Sequence, residues 1–319
     1  MFSARSIWQK NAPDTGIAGV AGMIALTGAT RIGLGAIALW SLLAALTAAS
    51  GSVPPFQLAA LTFALGGLLG CASWIVKPSG IAALRQPWRV WLVGISGLFG
   101  YHALYFTALR IAPPAEAGLI NYLWPLLIVL FSSLLPGEKL RPAQLLGAIF
   151  GFGGVLVLIF SKQDLSFSGA YVPGYLAALG AAVIWAIYSL LSRAFGTVPT
   201  DAVAGFCLAT SLLSALCHLA FEATVWPEFW WQWLAVVVLG IGPLGAAFYC
   251  WDFGVKRGDI GFLGVAAYAT PVISTLLLVA LGFAEATIAL AIACALIVFG
   301  AFVASRPPAR ARPVRSQQS

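Results

Sequence analysis

Residues 32–76 read IGLGAIALWSLLAALTAASGSVPPFQLAALTFALGGLLGCASWIV, an uncharged run bounded by Arg31 and Lys77. A helix needs about 20 apolar residues to cross a bilayer, so the run is long enough for two. Gly51, Pro54 and Pro55 divide it, which predicts spans over 32–49 and 56–76. The apolar residues are continuous rather than alternating. They therefore read as helices, which satisfy their own backbone hydrogen bonds in lipid, and not as barrel strands.

The same punctuation recurs along the chain. Further spans are expected over about 90–109, 115–135, 142–160, 172–194, 202–221, 230–252, 259–281 and 286–304, making ten with short connections. Composition agrees: of 319 residues, 61% are apolar and 8% charged, against roughly 25% charged in a soluble domain. So few polar residues could not cover a soluble core. The five cysteines (Cys71, Cys207, Cys217, Cys250, Cys294) all lie in apolar runs, with no C-x-x-C pair and no His/Cys cluster at metal spacing. They read as small hydrophobes, so no metal and no cofactor is expected.

The net charge of +7 raises the question of nucleic acid, but position answers it. With the N-terminus in the cytoplasm, Arg5, Lys10, Arg31, Lys77, Arg85, Arg89, Lys139, Arg141, Arg193, Lys256, Arg257, Arg306, Arg310, Arg312 and Arg315 fall on the cytoplasmic side. Only Arg110 and Lys162 fall outside. That bias sets topology, places both termini in the cytoplasm and leaves the bilayer, not nucleic acid, as the partner of the basic residues. Residues 1–30 read as a dispensable, disordered extension, with Met23 an alternative start. Residues 306–319 read as a basic cytoplasmic tail.

The halves repeat. Leu39-Trp40 matches Ile184-Trp185 at an offset of 145; Pro125 matches Pro271 at 146; Glu138 matches Glu285, and Phe152-Gly153 matches Phe299-Gly300, at 147. The repeats are placed at 31–161 and 165–305. With five helices each, the second copy must be inverted relative to the first, an arrangement typical of transporters whose substrate site lies at mid-depth between the halves. A single chain holding both halves is expected to work as a monomer.

Aromatic and polar residues concentrate at that depth: Trp40 in the first span, Tyr101, His102 and Tyr105 in the third, and Asn121, Tyr122, Trp124 and Pro125 in the fourth. The sixth carries Trp185, Tyr188 and Ser189, and the ninth Tyr268, Thr270, Pro271, Ser274 and Thr275. Trp88, Trp91, Trp226, Trp230, Trp231 and Trp233 sit at span ends and read as an interfacial belt. Trp40, Trp124 and Trp185 do not. At their depth an indole N–H needs a partner, so these rings should face the interior or a wet cavity, one suited to flat apolar or cationic substrates. Pro125 and Pro271 should each bend a helix and free a carbonyl one turn earlier.

His102 reads as a neutral, hydrogen-bonded cavity residue, with a proton relay as the competing role. His218 reads as structural, Asp252–Lys256 as an ion pair at the rim, and Glu116 as a solvated helix-start carboxylate. No carboxylate lies near the midplane, which favours facilitated diffusion over proton coupling. Gly66-x-x-x-Gly70 and Gly147-x-x-x-Gly151 should permit close helix packing. Gly94-Ile-Ser96-Gly97 resembles the nucleophile motif of intramembrane serine proteases, but His102 lies about 120° around the same helix from Ser96 and cannot reach it.

Asn121-Tyr122-Leu123-Trp124-Pro125 and Ile184-Trp185-Ala186-Ile187-Tyr188, with Trp251-Asp252-Phe253-Gly254 and Tyr268-Ala269-Thr270-Pro271-Val272, carry a resemblance to the drug/metabolite transporter superfamily of EamA type. Within it, the chain is most similar to the bacterial exporters of aromatic amino acids. The resemblance covers about 31–304. It implies an all-α, ten-helix inner-membrane protein that exports aromatic and other neutral amino acids, with planar cations as further substrates. It also implies a central cavity lined by the motif residues, and an activity that is not enzymatic. A proton-coupled exporter of another metabolite or drug shares the same architecture.

Overall fold

The computed structural model describes residues 26–161, 165, 167–280 and 285–306. The segment before residue 26 (with Arg5, Lys10 and Met23), Lys162, and the tail beyond Arg306 lie outside the described residues. Every regular element among the described residues is helical. Among the described residues nine helices are long and apolar enough to cross a membrane: α1 Gly28–Ala49, α2 Pro55–Val76, α3 Trp88–Ile111, α4 Pro114–Ser132, α5 Pro142–Phe160, α6 Gly169–Ala194, α7 Thr200–Phe221, α8 Trp230–Arg257 and α9 Ile260–Ala280. A shorter apolar helix, α10, follows at Ile288–Ala304.

These bounds follow the charge punctuation closely. α1 starts at Gly28, inside the segment assigned to the extension, because Thr27 caps it: its Oγ1 accepts from Thr30 N at 3.2 Å. Prolines at the start of α2, α4 and α5 sit where no intrahelical N–H is needed.

Connections as short as residues 112–113 between α3 and α4 cannot span a helix length, so consecutive helices run antiparallel. Two ends result. The basic end holds the connections α2–α3, α4–α5, α6–α7 and α8–α9. The opposite end holds α1–α2, α3–α4 and α7–α8, with the last turns of α5 and α9 and the first turns of α6 and α10.

The most extensive pairings are α1 with α8, α5 with α10, α2 with α7 and α3 with α6. Exchanging the first five helices with the last five leaves this set unchanged. Glycines set the closest approaches. A Cβ on Gly147 would sit 2.5 Å from the Gly300 carbonyl oxygen of α10, and one on Gly254 would sit 2.6 Å from the Gly33 Cα of α1. A Cβ on Gly66 would meet the Leu244 carbonyl at 2.6 Å. Backbone cannot yield as a side chain can, so these contacts require glycine.

Gly147→Val should therefore push α5 and α10 apart and destabilise the protein by about 2 kcal/mol or more, read as a lower melting temperature in detergent. Gly153→Ala, with nothing within 4 Å of the added methyl, should leave stability unchanged or raise it by roughly 0.5 kcal/mol.

Candidate substrate cavity

Five of the helices are interrupted, all at about the same depth. α1 turns at Ser41–Leu42, α4 at Tyr122–Leu123 and α9 at Ala267–Tyr268. α3 and α8 each contain a π-turn, Ser96–Gly100 and Gly242–Ala246. The causes are local. Pro125 and Pro271 lack the N–H that would continue their helices, and Pro243 lies within the second π-turn. Ser41 Oγ donates to the Ile37 carbonyl at 2.9 Å, beside the bond that the same carbonyl accepts from Ser41 N at 3.1 Å.

The interruptions surround a cavity of about 420 Å³, within the usual range for a small-molecule site. α1 contributes Trp40, Leu43 and Ala44; α3 contributes Tyr101, His102 and Tyr105; α4 contributes Asn121, Tyr122 and Trp124. Trp185 of α6 joins Leu244 and Phe248 of α8, and α9 supplies Thr270, Pro271, Ser274, Thr275 and Leu278. No Asp, Glu, Lys or Arg is among the lining residues. The lining runs from the interruptions toward the opposite end, so the cavity faces that end and is shut toward the basic end.

Its floor is a cluster of four tryptophans. Trp40, Trp124, Trp185 and Trp251 make all six possible ring contacts, with centroids 5.2 to 6.4 Å apart. Most pairs meet edge to face, the arrangement the ring quadrupoles favour. Trp40 Nε1 donates to the Pro243 carbonyl at 3.0 Å, within the α8 π-turn. Trp251, fully buried, donates to Ser189 Oγ at 3.0 Å. Among the described residues the indole N–H groups of Trp124 and Trp185 have no protein acceptor, and both rings line the cavity.

On the walls, His102 Nδ1 lies 2.7 Å from the Leu98 carbonyl in the α3 π-turn. A carbonyl only accepts, so Nδ1 carries the proton. Phe63 and Tyr101 pack against the imidazole, with centroids 5.0 Å away in each case. Asn121 Nδ2 donates to Tyr101 Oη at 3.1 Å, while its Oδ1 is buried without a partner. Thr270 Oγ1 is likewise unpartnered.

Of the expected site residues, Trp40, Tyr101, His102, Tyr105, Asn121, Tyr122, Trp124, Trp185 and Pro271 line the cavity. Pro125, Tyr188 and Tyr268 do not. Depth separates them. α4 and α6 run toward the basic end, so Pro125 and Tyr188 fall below the floor. α9 runs away from it, so Tyr268 lies about one turn below Pro271. The ring of Tyr188 fills the space beside Gly97, and that of Tyr268 the space beside Gly151. The carbonyl that Pro271 was expected to free, that of Ala267, accepts from Thr270 N at 3.1 Å and is not available. Leu43, Ala44, Leu244, Phe248 and Leu278 were not anticipated, and Trp251 was marked only as a motif residue. Phe248 and Trp251 stand 146 residues after His102 and Tyr105, so the repeat register carried the signal.

The ends are latched by polar groups. At the basic end Arg193 pairs with Glu138 and donates to the Val255 and Gly258 carbonyls at 2.8 Å each. Arg141 pairs with Asp259, which also accepts from Gln144 Nε2 at 3.0 Å. Lys256 meets Asp252 at 2.8 Å, and Thr200 Oγ1 donates to the same carboxylate at 2.7 Å. Expected at the rim, this pair is buried, because Lys256 also reaches the Val198 carbonyl at 2.9 Å.

At the other end the buried Glu222 accepts from Phe56 N and Gln57 N at the start of α2, from Arg110 at 2.9 Å and from His218 Nδ1 at 3.1 Å. His218 is thus structural, as expected. Glu116 is buried rather than solvated, and accepts from Tyr175 Oη. Ser96 is exposed and its hydroxyl donates back to the Leu92 carbonyl at 2.6 Å, while His102 is engaged with Leu98, so no nucleophile–base pair forms.

Residues 27–160 and 172–306 each match the EamA-like transporter family. Among curated proteins, the chain is 61% identical over 278 residues to the aromatic amino acid exporter YddG of Ancylobacter novellus, covering 87% of this chain and 96% of that protein. It is 29% identical over 270 residues to the protein of the same name in Escherichia coli, covering 78% and 87%. A solved crystal structure 61% identical in sequence superposes with a TM-score of 0.84, covering 86% of this chain and 96% of that one.

Because Asp252 and Lys256 are both buried, Asp252→Ala should strand a cation and destabilise the protein by about 3–5 kcal/mol. Thermal unfolding in detergent should show Asp252→Ala melting far below the wild type, with the double variant Asp252→Ala/Lys256→Ala recovering part of the loss.

Proposed function

The chain belongs to the EamA-like transporter family, and we propose that it exports aromatic amino acids by facilitated diffusion through the tryptophan-floored cavity. It is a multi-pass protein of the bacterial inner membrane. The observation that carries the substrate assignment is the cavity itself, which has aromatic walls and no charged side chain among the described lining residues. An aromatic amino acid is a zwitterion with no net charge, so it needs no counter-ion from the protein. Its ring would stack among Tyr101, Tyr122, Trp124 and Trp185. Its carboxylate would take the free indole N–H groups of Trp124 and Trp185, and its ammonium the unpartnered Asn121 Oδ1. Planar cations would use the same rings through cation–π contact. The relatives named as aromatic amino acid exporters support the same reading.

In this proposal ten helices form two five-helix repeats inverted in the bilayer, at 31–161 and 165–305. The symmetric helix pairings favour it, as does the odd number of helices per repeat. The basic end faces the cytoplasm by the distribution of Lys and Arg, with both termini there, so the conformation described is open outward. Transport proceeds by rocking of the halves about the shared floor. The site is complete within one chain, so a monomer suffices. With no coupled ion, net export follows the concentration gradient of the amino acid.

Liposomes holding purified protein should equilibrate labelled phenylalanine without a pH gradient. Trp124→Ala, losing one stacking wall worth about 1.4 kcal/mol, should raise the half-saturating concentration roughly tenfold. Uptake seen only with an imposed pH gradient would make His102 a proton carrier and overturn facilitated diffusion. No uptake in either condition by folded protein would overturn the aromatic assignment.

A further inference from the structure

Tyr188 and Tyr268 present a problem that the cavity does not solve. Both are buried on the basic-end side of the tryptophan floor, and their hydroxyls have only badly aligned polar neighbours, Ser192 for Tyr188 and the Leu126 backbone for Tyr268, with no well-formed hydrogen bond among the described residues. A buried unpartnered hydroxyl is destabilising, and in a folded protein it calls for a reason. Both rings are also seated against glycines, Tyr188 on Gly97 and Tyr268 on Gly151.

The repeat supplies the reason. The π-turns Ser96–Gly100 and Gly242–Ala246 stand 146 residues apart, as do Pro125 and Pro271. In that register the cavity residues Tyr105 and Tyr122 correspond to Trp251 and Tyr268, and Ser274, Thr275 and Leu278 of α9 correspond to Ile128, Val129 and Ser132 of α4. Leu43 corresponds to Tyr188 at the offset of 145 that relates Trp40 to Trp185. Every one of these counterparts is now buried. Beside Tyr188, a residual void of about 10 Å³ bounded by Ser192, Phe206 and Asp252 persists on the basic-end side, about enough for one water.

We propose that Tyr188, Trp251 and Tyr268, with Ile128, Val129 and Ser132 of α4, form the substrate-contacting wall of a second cavity, which opens at the basic end as the present one closes. The proposal rests on the alternating-access reading above. The hydroxyls of Tyr188 and Tyr268 are orphaned in this conformation because their partners, water or the substrate's polar groups, arrive in the other. Trp40, Trp124 and Trp185 serve both cavities, as the floor of one and the roof of the next.

The test is accessibility from each face. In a background with the five cysteines replaced by alanine, Val129→Cys, Ser132→Cys and Leu278→Cys are exposed to a membrane-impermeant maleimide in sealed vesicles of known orientation. Val129→Cys and Ser132→Cys should label only from the basic-end face, several-fold more slowly with excess phenylalanine, and Leu278→Cys only from the other. Absence of labelling at 129 and 132 overturns the second cavity. Failure of wild-type protein to exchange phenylalanine instead overturns the transport reading, and the labelling pattern still decides the cavity. Tyr268→Phe in the native chain provides an arm independent of the cysteine background. It should melt no lower than wild type yet exchange phenylalanine several-fold more slowly. Exchange at the wild-type rate overturns the role of that hydroxyl.

Discussion

A helix interrupted inside a bilayer leaves backbone groups with no water to receive them, and this constraint governs the rest of the molecule. Five interruptions occur at about one depth, in α1, α3, α4, α8 and α9, and at three of them a side chain bonds a nearby carbonyl. Ser41 Oγ takes the Ile37 carbonyl, His102 Nδ1 takes that of Leu98, and Trp40 Nε1 takes that of Pro243. Two of these side chains, Trp40 and His102, also line the cavity. Irregular backbone is tolerated in lipid only where protein or a cavity receives it, so the breaks and the site are one construction. α6, which runs unbroken through Trp185, supplies the rigid wall against which the broken helices are set.

The four tryptophans turn that ring of breaks into a closed floor. Each comes from a different helix, two from each half, so the contacts tie both repeats at their centre. Because indoles pack edge to face with shallow angular preference, the cluster can shear while keeping contact. Tight backbone crossings lie elsewhere, at Gly147 with Gly300 and Gly33 with Gly254. Each of those crossings joins a helix of one half to a helix of the other, so the halves are interlocked there as well as at the aromatic centre.

Much of this was legible in the sequence. Charge punctuation gave each helix to within a few residues, because a span must exclude ionisable groups while loops need not. Nine of twelve expected site residues line the cavity, because aromatic residues at mid-depth cannot be interfacial. What escaped was depth along the axis: Tyr188 and Tyr268 share a face with Trp185 and Pro271 but lie below the floor. Helical periodicity reports angle, not which side of a closed gate a turn occupies. Burial of Asp252, Lys256 and Glu116 escaped as well, since their partners Thr200, Val198 and Tyr175 come from distant segments. The apolar lining of Leu43, Leu244 and Leu278 carries no local signal at all.

The two halves are not equivalent where it matters, and the difference bears on the proposed cycle. Asn121 of α4 corresponds to Ala267 of α9, His102 to Phe248, and Tyr105 to Trp251. The cavity now open therefore carries the imidazole and the amide, whereas its counterpart would be walled by larger rings and by the hydroxyls of Tyr188 and Tyr268. Two sites so different would bind one zwitterion with different strengths. A carrier that couples to no ion cannot turn that difference into a gradient, because the free energies around its cycle must sum to zero. The difference must instead equal the shift that binding makes in the conformational equilibrium, so the loaded protein leans further toward the tighter-binding state than the empty one. The ion pairs of Arg193 with Glu138 and Arg141 with Asp259 close the basic end in the conformation described. Their strength is thus the quantity through which this sequence would set that balance.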